Sequence, residues 1–515
     1  MDASRRDVAW PSIVAAVGGF LIEAIVAATP ASPLQPVLAP GADPGAPWAS
    51  IGDAIGLDAL GSAFPVASVV AVAVAVGGFL WLLRETWRGR VPTSIVLTLA
   101  VAFHVALVFE PLLVSRDVYS YIAHGQIVSV HGANPYVATP ADFPGLLTRE
   151  LVGPKWADTP SVYGPLFSHL AGVVTRTSDQ LDVLVDAFRL LAIAASLATS
   201  FVIGAIVRRV RPERAAFAVA AFAVNPVILF QSAASGHNDL LVALAIAVGA
   251  WLALRDRTMW AVAVLTCAGL IKATAFLPAL LVVVWATWRR PERELRTLVA
   301  HAGVGVAIGV VLAAPFFQLE DPSLGMLELA GHEGWLAPSR FFGRVLDAVS
   351  GDALGAVARL AFAIGVVVAT LLLVRTVARA ASSGAPRSEL TAAWGWSLLA
   401  LTLLGPVLLP WYLAWTLPLA WLLPAVPRAV LVALSAILAL SQWTAEPFRY
   451  PDAYSVSVIV GRYALTPVVI GLLVWLALDL RRRVAGAAPL GDEEGEAPEA
   501  REGRGSHRDP QVVQP

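Results

Sequence analysis

The chain has 515 residues, of which 57% are hydrophobic and only 14% charged, and its mean hydropathy is +0.72. A soluble protein of this size carries about 25% charged residues, so a soluble enzyme, a nucleic-acid binder and a disordered scaffold are excluded. The formal net charge of −1 points to no partner, and the single cysteine, Cys267, excludes a disulfide framework, a zinc cluster and a thiol redox pair.

A membrane-spanning helix needs about 20 mainly apolar residues. In chain order, candidates fall near 8–29, 64–83, 92–114, 184–207, 214–232, 240–254, 259–272, 275–288, 298–317, 354–374, 391–409, 411–426, 429–445 and 456–480. The fold class expected is an all-α integral membrane bundle of about 14 spans, with a range of 12–14. The first candidate contains Glu23, lacks a clean small-residue cleavage site and precedes many more spans, so it is not read as a cleaved signal peptide. The segments 259–272 and 275–288 are short and flank Lys272; they are either two spans or one re-entrant hairpin, with the same parity.

Charge placement orients the bundle. With the N-terminus in the cytoplasm, basic residues favour the cytoplasmic loops by roughly three to one. Those loops hold Arg84, Arg88, Arg90, Arg208, Arg209, Arg255, Arg289, Arg290, Arg387 and Arg428. Both termini are then cytoplasmic, and three long loops, 30–63, 115–183 and 318–353, face outward. The expected organisation is a leading pair of spans with their outer loop (1–91), a module carrying the outer loop 115–183 (92–317), an outer loop with C-terminal spans (318–480) and a cytoplasmic tail (481–515). The Gly/Pro/Glu-rich stretch from Val484 onward is expected to be disordered.

The second outer loop is densest in Tyr, His, Asp and Trp. From Asp117 to about His131 (opening Arg116-Asp117-Val118-Tyr119-Ser120-Tyr121-Ile122-Ala123-His124) the pattern suits an interfacial helix with Val118, Tyr121, Ile122 and Val128 toward lipid and Asp117, Ser120, His124 and His131 on another face. Gly132-Ala133-Asn134-Pro135 ends that helix, and Tyr163-Gly164-Pro165-Leu166 forms a rigid turn back to the membrane. An Asp opening a helix is also a good N-cap, so Asp117 is either a cap, a chemical group or both.

Asp117-Val118-Tyr119-Ser120-Tyr121, Asn134-Pro135-Tyr136 and Tyr163-Gly164-Pro165-Leu166 resemble the signature of polytopic GT-C glycosyltransferases. The nearest resemblance is to actinobacterial polyprenyl-phosphomannose-dependent α-1,6-mannosyltransferases of lipomannan synthesis. It extends through Asn225-Pro226, Gly236-His237-Asn238-Asp239, Ile271-Lys272 and Pro410-Trp411-Tyr412-Leu413-Ala414-Trp415, across most of residues 92–480. The resemblance implies a GT-C-like bundle, a polyprenyl-phosphate sugar donor, a glycan or lipoglycan acceptor outside the membrane, and Asp117 as the acidic base. The chemistry is compatible with this. Inverting transfer to a hydroxyl needs one carboxylate to take the acceptor proton. A polyprenyl phosphate leaves as a stable anion, so the protonating acid of a glycosidase is not required, and charge on the phosphate must be stabilised instead.

Candidate phosphate partners are Lys272, Arg116 and Arg340. Lys272 is one of two lysines, with Lys155, and the only one in an apolar segment, which is a costly placement; it either meets a phosphate or snorkels from a short helix end. Arg340, after Trp335 and Pro338, either closes over the site or is a solvated loop charge. Arg189, Arg359 and Arg462 also fall in apolar stretches and receive no role. His237, Asn238 and Asp239 either cap the next helix or bind sugar hydroxyls and orient Asp117. Trp411, Tyr412 and Trp415 are either an interfacial aromatic belt or stacking surfaces for sugar and isoprenoid, and Tyr119 and Tyr121 carry the same two readings. Tyr163 and His124 complete the candidate sugar and acceptor contacts, although two helical turns, about 10 Å, separate His124 from Asp117. The outer loops contain no DxD triplet, the chain has no HExxH, and Glu320-Asp321 suits a solvated loop. Metal-independent transfer without a cofactor is expected, and a mixed His237/Asp239/Asp117 metal site is the arrangement that would contradict it. Transfer of arabinose or glucose on the same fold, a protein acceptor, and a transporter or flippase of a lipid-linked glycan are the competing functions.

Overall fold

The computed structural model describes residues 7–38, 47–319, 324–326, 334, 336–351, 354–445, 449–486 and 488–491. Glu320, Asp321, Trp335 and the tail from 492 lie outside the described residues. All regular structure among the described residues is helical. The principal helices are α1 (Trp10–Ala28), α2 (Phe64–Trp87), α3 (Thr93–Leu107), α4 (Asp117–Ser129), α5 (Pro165–Val174), α6 (Leu181–Val210), α7 (Ala215–Ala223), α8 (Asp239–Leu254), α9 (Thr258–Gly269), α10 (Phe276–Trp288), α11 (Glu294–Ala313), α12 (Pro338–Ser350), α13 (Gly355–Ser382), α14 (Arg387–Leu404), α15 (Ala425–Ser441) and α16 (Pro451–Gly486).

The apolar runs become helices because a helix satisfies every backbone group internally, which hydrocarbon demands. Six of them, among the described residues, are long and apolar enough to cross a membrane, and a seventh forms if α7 and Pro226–Ala233 are taken as one span bent by 43°. The remaining apolar helices are shorter. Two of the long helices turn apolar rows outward: Leu295, Val299, Val306 and Val310 on α11, and Val357, Leu360, Ile364 and Leu371 on α13, are all exposed. Rows of that length fit a lipid surface rather than water. The chain is an all-α membrane protein.

The expected span 411–426 takes another form. Residues 411–426 are not one α-helix but tight turns, Pro410–Trp415 and Leu417–Leu419. Pro410, Pro418 and Pro424 remove the amide donors a continuous helix would use. This stretch connects two ends of the molecule: Trp411 and Trp415 reach the site described below, whereas the Arg428 guanidinium stacks on Trp87 at 4.0 Å. Helices α9 and α10 form a hairpin with Lys272 at its tip. Its two feet meet through Asp256 and Arg290 at 3.5 Å, where Arg387 also reaches Asp256 at 3.2 Å. Each arm has 12–13 residues, roughly 18–20 Å of helix against a hydrocarbon core of about 30 Å.

The interfacial reading of α4 is corrected. Val118, Tyr121 and Ile122 are buried in protein rather than turned to lipid, and α4 packs against α5. The predicted disorder from Val484 onward is corrected in part. Residue Arg483 belongs to α16, which runs on to Gly486, and the next residues dock on α14: Glu389 accepts the amides of Leu490 and Gly491 at 2.6 and 3.0 Å, and Trp396 Nε1 donates to Leu490 O at 3.0 Å.

Candidate active site

Four segments converge at one end of the bundle: the start of α4, the turn before α8, the α9–α10 tip and the Pro410–Trp415 turn. Each is shaped by its sequence. At the first, Ser115 Oγ accepts the Asp117 amide at 3.1 Å. Arg116 holds the cap position and the Asp117 side chain makes no capping bond, so the carboxylate is free for another partner. At the second, Gly236 has φ +70, and a Cβ there would meet Val118 Cγ2 at 2.6 Å. Only glycine lets this turn lie against α4, which brings His237 to Asp117. Arg189 fixes the same region from α6. Its guanidinium donates to Ala234 O and Leu107 O, each at 3.1 Å, and also to Glu110 O, and it pairs with Asp186 at 2.8 Å. Arg359 instead pairs with Asp347 at 3.6 Å, away from the site.

The third segment is held by the Tyr163-Gly164-Pro165-Leu166 turn. The amides of Gly164 and Leu166 donate to Ile271 O and Leu270 O at 3.1 and 3.0 Å. A Cβ on Gly164 would stand 2.3 Å from Leu270 O. The motif therefore docks the residues immediately before Lys272. Tyr136 O–H secures the turn by donating to Tyr163 O at 2.7 Å, and Asn134 Oδ1 accepts the Tyr136 amide at 3.0 Å. The Asn134-Pro135-Tyr136 motif thus supports the Tyr163 turn from below.

Two close side-chain pairs result. His237 Nδ1 lies 3.5 Å from Asp117 Oδ2, with His237 fully buried and the Asp117 side chain 31% exposed. Lys272 Nζ lies 3.6 Å from Asp239 Oδ2, with Asp239 fully buried and Lys272 nearly so. Asp239 makes no capping bond either; its other oxygen accepts Trp415 Nε1–H at 2.9 Å. Both cap readings therefore fail. Lys272 does not snorkel, because its ammonium turns inward between Tyr163 and Tyr412, at 5.4 and 5.8 Å from their ring centres. The aromatic-belt reading of the fourth segment fails too. Trp411, Tyr412 and Trp415 are buried; Trp411 stacks on His237 at 3.8 Å and Tyr412 on Trp415 at 4.4 Å.

Electrostatics favours an ionised Asp117. Burial pushes its carboxyl up, but His237, Lys272 and the Ser115 hydroxyl outweigh burial and hold it below its ordinary value of 3.8. Burial, followed by the charges of Asp117 and Asp239, holds the Tyr163 phenol well above its ordinary 10.0, so it stays a hydrogen-bond donor.

Lys272, Tyr412 and Trp415 also line a cavity of about 320 Å³, walled by Val162, Met326, Leu401, Gly405, Pro406 and Val407. Its lining is mostly apolar, with Lys272, Thr274, Thr402 and Tyr412 as the polar residues among those described. Among the described residues, no group of three or more His, Cys, Asp or Glu side chains is arranged to hold a metal ion.

Several candidates lie off this cluster. Tyr119 O–H donates to Val37 O at 3.0 Å, in the segment that follows α1. His124 is buried behind Tyr163, 6.5 Å between ring centres, and burial lowers it to about 4, so it is neutral at pH 7. His131 stacks on Phe143 at 4.2 Å. Arg340 is buried near the start of α12, and its neighbour Ser339 bonds Gly405 O on the cavity wall at 3.1 Å. Arg116 is half-buried next to Asp117. Tyr121 stands between: its hydroxyl accepts the Asn238 amide at 3.4 Å and its ring packs edge-on to Tyr163 at 4.9 Å. Trp415, read from the sequence as a belt or stacking residue, instead donates its N–H to Asp239. Arg189 received no role from the sequence, because it acts on backbone carbonyls that leave no trace in a motif.

An ionised aspartate, and a lysine that lines a largely apolar cavity, inside a lipid-facing helical bundle, suit a membrane glycosyltransferase. Comparison with known proteins agrees with that class. Residues 34–289 match the family described as Alpha-(1->6)-mannopyranosyltransferase, N-terminal domain, and residues 340–475 match the MptB C-terminal domain. The chain is 28% identical over 404 residues to Alpha-(1->6)-mannopyranosyltransferase A of Mycobacterium tuberculosis, covering 74% of each chain. It is 29% identical over 259 residues to Alpha-(1->6)-mannopyranosyltransferase A of Corynebacterium glutamicum, covering 47% of this chain and 52% of that one. To Alpha-(1->6)-mannopyranosyltransferase B of the same organism it is 27% identical over 349 residues, covering 60% and 55%. The chain belongs to this GT-C-like α-(1→6)-mannopyranosyltransferase family and is a glycosyltransferase. The two matched regions meet in the site: Asp117, His237, Asp239 and Lys272 come from the first, and Trp411, Tyr412 and Trp415 from the second.

Proposed function

We propose that this protein transfers mannose, with inversion, from a polyprenyl-phosphate donor to a lipoglycan acceptor and forms an α-1,6 linkage. The observation that carries the reading is an ionised, partly open Asp117 together with a mostly apolar cavity whose one cation, among the described residues, is Lys272. The names of the relatives supply the sugar and the linkage.

In this reading the acceptor's primary hydroxyl attacks the anomeric carbon of the donor sugar. Its proton passes to Asp117, the bond from that carbon to the phosphate oxygen breaks, and the electron pair leaves on the phosphate. An α product made with inversion requires a β-linked donor. His237, clamped by Trp411, holds the Asp117 carboxylate in place and keeps it ionised. Lys272 meets the phosphate, where charge develops in the transition state, with Arg116 and Arg340 as the further cations near the base and the cavity wall. Asn238, Asp239, Tyr121, Tyr163, Trp411 and Tyr412 surround the sugar and acceptor, and the cavity takes the first isoprene units.

The same reading places the protein in the bacterial plasma membrane with about 14 crossings, counting the short and broken segments. Both termini are cytoplasmic and the site faces outward. The catalytic module is 92–317, completed by the spans of 318–480, with 1–91 leading it and 481–515 as the cytoplasmic tail. The test is purified protein in liposomes with labelled polyprenyl-phosphomannose, a panel of other lipid-linked sugars and a mannoside acceptor. An α-1,6-linked mannoside product is expected. Transfer of arabinose or glucose in its place, or movement of the lipid without any product, refutes the proposal.

A further inference from the structure

The Lys272–Asp239 pair presents a problem for a phosphate-binding role. A donor phosphate arriving at Lys272 finds the lysine already neutralised. Asp239 is fully buried, so its charge is poorly screened. Its two oxygens are held unequally. Oδ1 accepts the Trp415 N–H at 2.9 Å, whereas Oδ2 has no hydrogen-bond partner and meets Lys272 only as an ion at 3.6 Å. Trp415 is itself fixed by stacking on Tyr412. One side of the carboxylate is therefore anchored, and the other makes a loose contact to the one ammonium on the cavity wall.

We propose that Asp239 is the resting counter-ion of Lys272 and competes with lipid-linked phosphate for it, with Trp415 setting the strength of that competition. This rests on the reading of Lys272 as the phosphate partner. Before donor binds, the Lys272–Asp239 pair spares each group an unpaired buried charge, whose cost is large. Donor binding separates the pair, and Trp415 keeps Asp239 from following the lysine. After transfer the departing lipid phosphate is a monoester that gains a second negative charge near neutral pH and would bind Lys272 more strongly than the donor did. Asp239 then retakes the lysine and the product leaves. Asp239 is thus a product-release residue, and Trp415 a positioning residue that acts through it.

Two substitutions have opposite expected signs. Asp239→Asn removes the competing charge, so a prenyl phosphate should bind at least about tenfold more tightly, the lower end for close buried charge pairs. Trp415→Phe removes the N–H that quiets Asp239, so the carboxylate competes harder and binding should weaken, by about tenfold or more for one hydrogen bond to a charge. The measurement is calorimetric titration of farnesyl phosphate into full-length wild type, both single variants and the double variant in detergent, with product inhibition of transfer as a second readout. The Trp415→Phe effect should vanish in the Asp239→Asn background. An Asp239→Asn variant that binds farnesyl phosphate as wild type does, or more weakly, overturns the proposal. So does an equal Trp415→Phe loss in both backgrounds, the mark of a merely structural tryptophan. If Asp239→Asn does not fold, stronger binding by Trp415→Phe overturns it alone. A Lys272→Ala variant that binds like wild type overturns the phosphate role of Lys272 itself, and this proposal with it.

Discussion

Replacing Asp117 by Asn tests the chemistry most directly, because the carboxylate is not part of a helix cap. The Asp117 side chain makes no capping bond, and 31% of it is open. Asn has the same shape and keeps the backbone amide on Ser115 Oγ. The contact with buried His237 weakens, at a cost of about 1.5–3 kcal/mol, so the variant is less stable but should still fold, extract and bind donor. What it loses is the proton acceptor. Positioned general bases contribute about 10²- to 10⁴-fold, or about 2.7–5.4 kcal/mol of barrier at 1.36 kcal/mol per decade. The assay is initial-rate transfer from labelled polyprenyl-phosphomannose to a mannoside in proteoliposomes, with thermal unfolding and donor binding measured on the same preparation. The expectation is a fall in kcat of at least about 10² with an unchanged KM for donor. Full transfer by the Asn variant would remove Asp117 as the base. An equal fall in stability and rate would mean the carboxylate is structural.

Three other outcomes follow from the same geometry. Lys272→Ala should raise the donor concentration needed for half-maximal rate by at least about tenfold, since it removes a buried charge pair and the phosphate contact together; an unchanged donor dependence refutes the assignment. His237→Phe keeps a ring on Trp411 but removes a group that holds the Asp117 carboxyl down. The base works ionised, and wild-type activity is lost only as pH falls through a value below the ordinary 3.8. Without His237 the folded carboxyl rises, so the acid limb of the pH–rate profile moves to higher pH, and a limb that stays in place or moves down contradicts the pairing. Gly164→Ala forces a Cβ against Leu270 O at 2.3 Å and should cost about 1–3 kcal/mol of stability, seen as a lower unfolding temperature together with weaker donor use, because Lys272 follows the Leu270–Ile271 backbone it displaces.

Much of the bundle was legible from hydropathy and charge. Long apolar runs such as 8–29 and 184–207 correspond to α1 and α6 within a few residues, because period and length suffice where hydrocarbon forbids any other backbone state. The stretch 411–426 was misread because hydropathy measures composition and not hydrogen bonding. Its prolines, not its polarity, set its path. The α4 helix was misread for a related reason. An alternating polar and apolar face looks the same whether the apolar side meets lipid or the α5 and α6 surfaces, and only the third dimension supplied Val118 under Gly236.

The site was legible in its residues and hidden in its pairings. Asp117, His237, Asp239 and Lys272 could each be singled out as costly polar groups among apolar neighbours, and each had a bland explanation as a cap, a turn or a snorkelling end. What decided between those explanations was who meets whom across 120 residues or more of sequence: His237 with Asp117, and Trp415 with Asp239. Motif spacing cannot carry that information, because the turns that create the contacts are fixed by excluded volume at Gly164 and Gly236 and by Arg189 bonding to carbonyl oxygens. The cavity left even less trace, since Leu401, Pro406 and Val407 are ordinary apolar residues. Yet the lysine that gives the cavity a polar end was conspicuous, one of two in the whole chain. In a membrane protein a rare ammonium is informative because solvation makes it expensive. The same expense explains why it is found with a carboxylate, and why any phosphate that uses it must first displace Asp239.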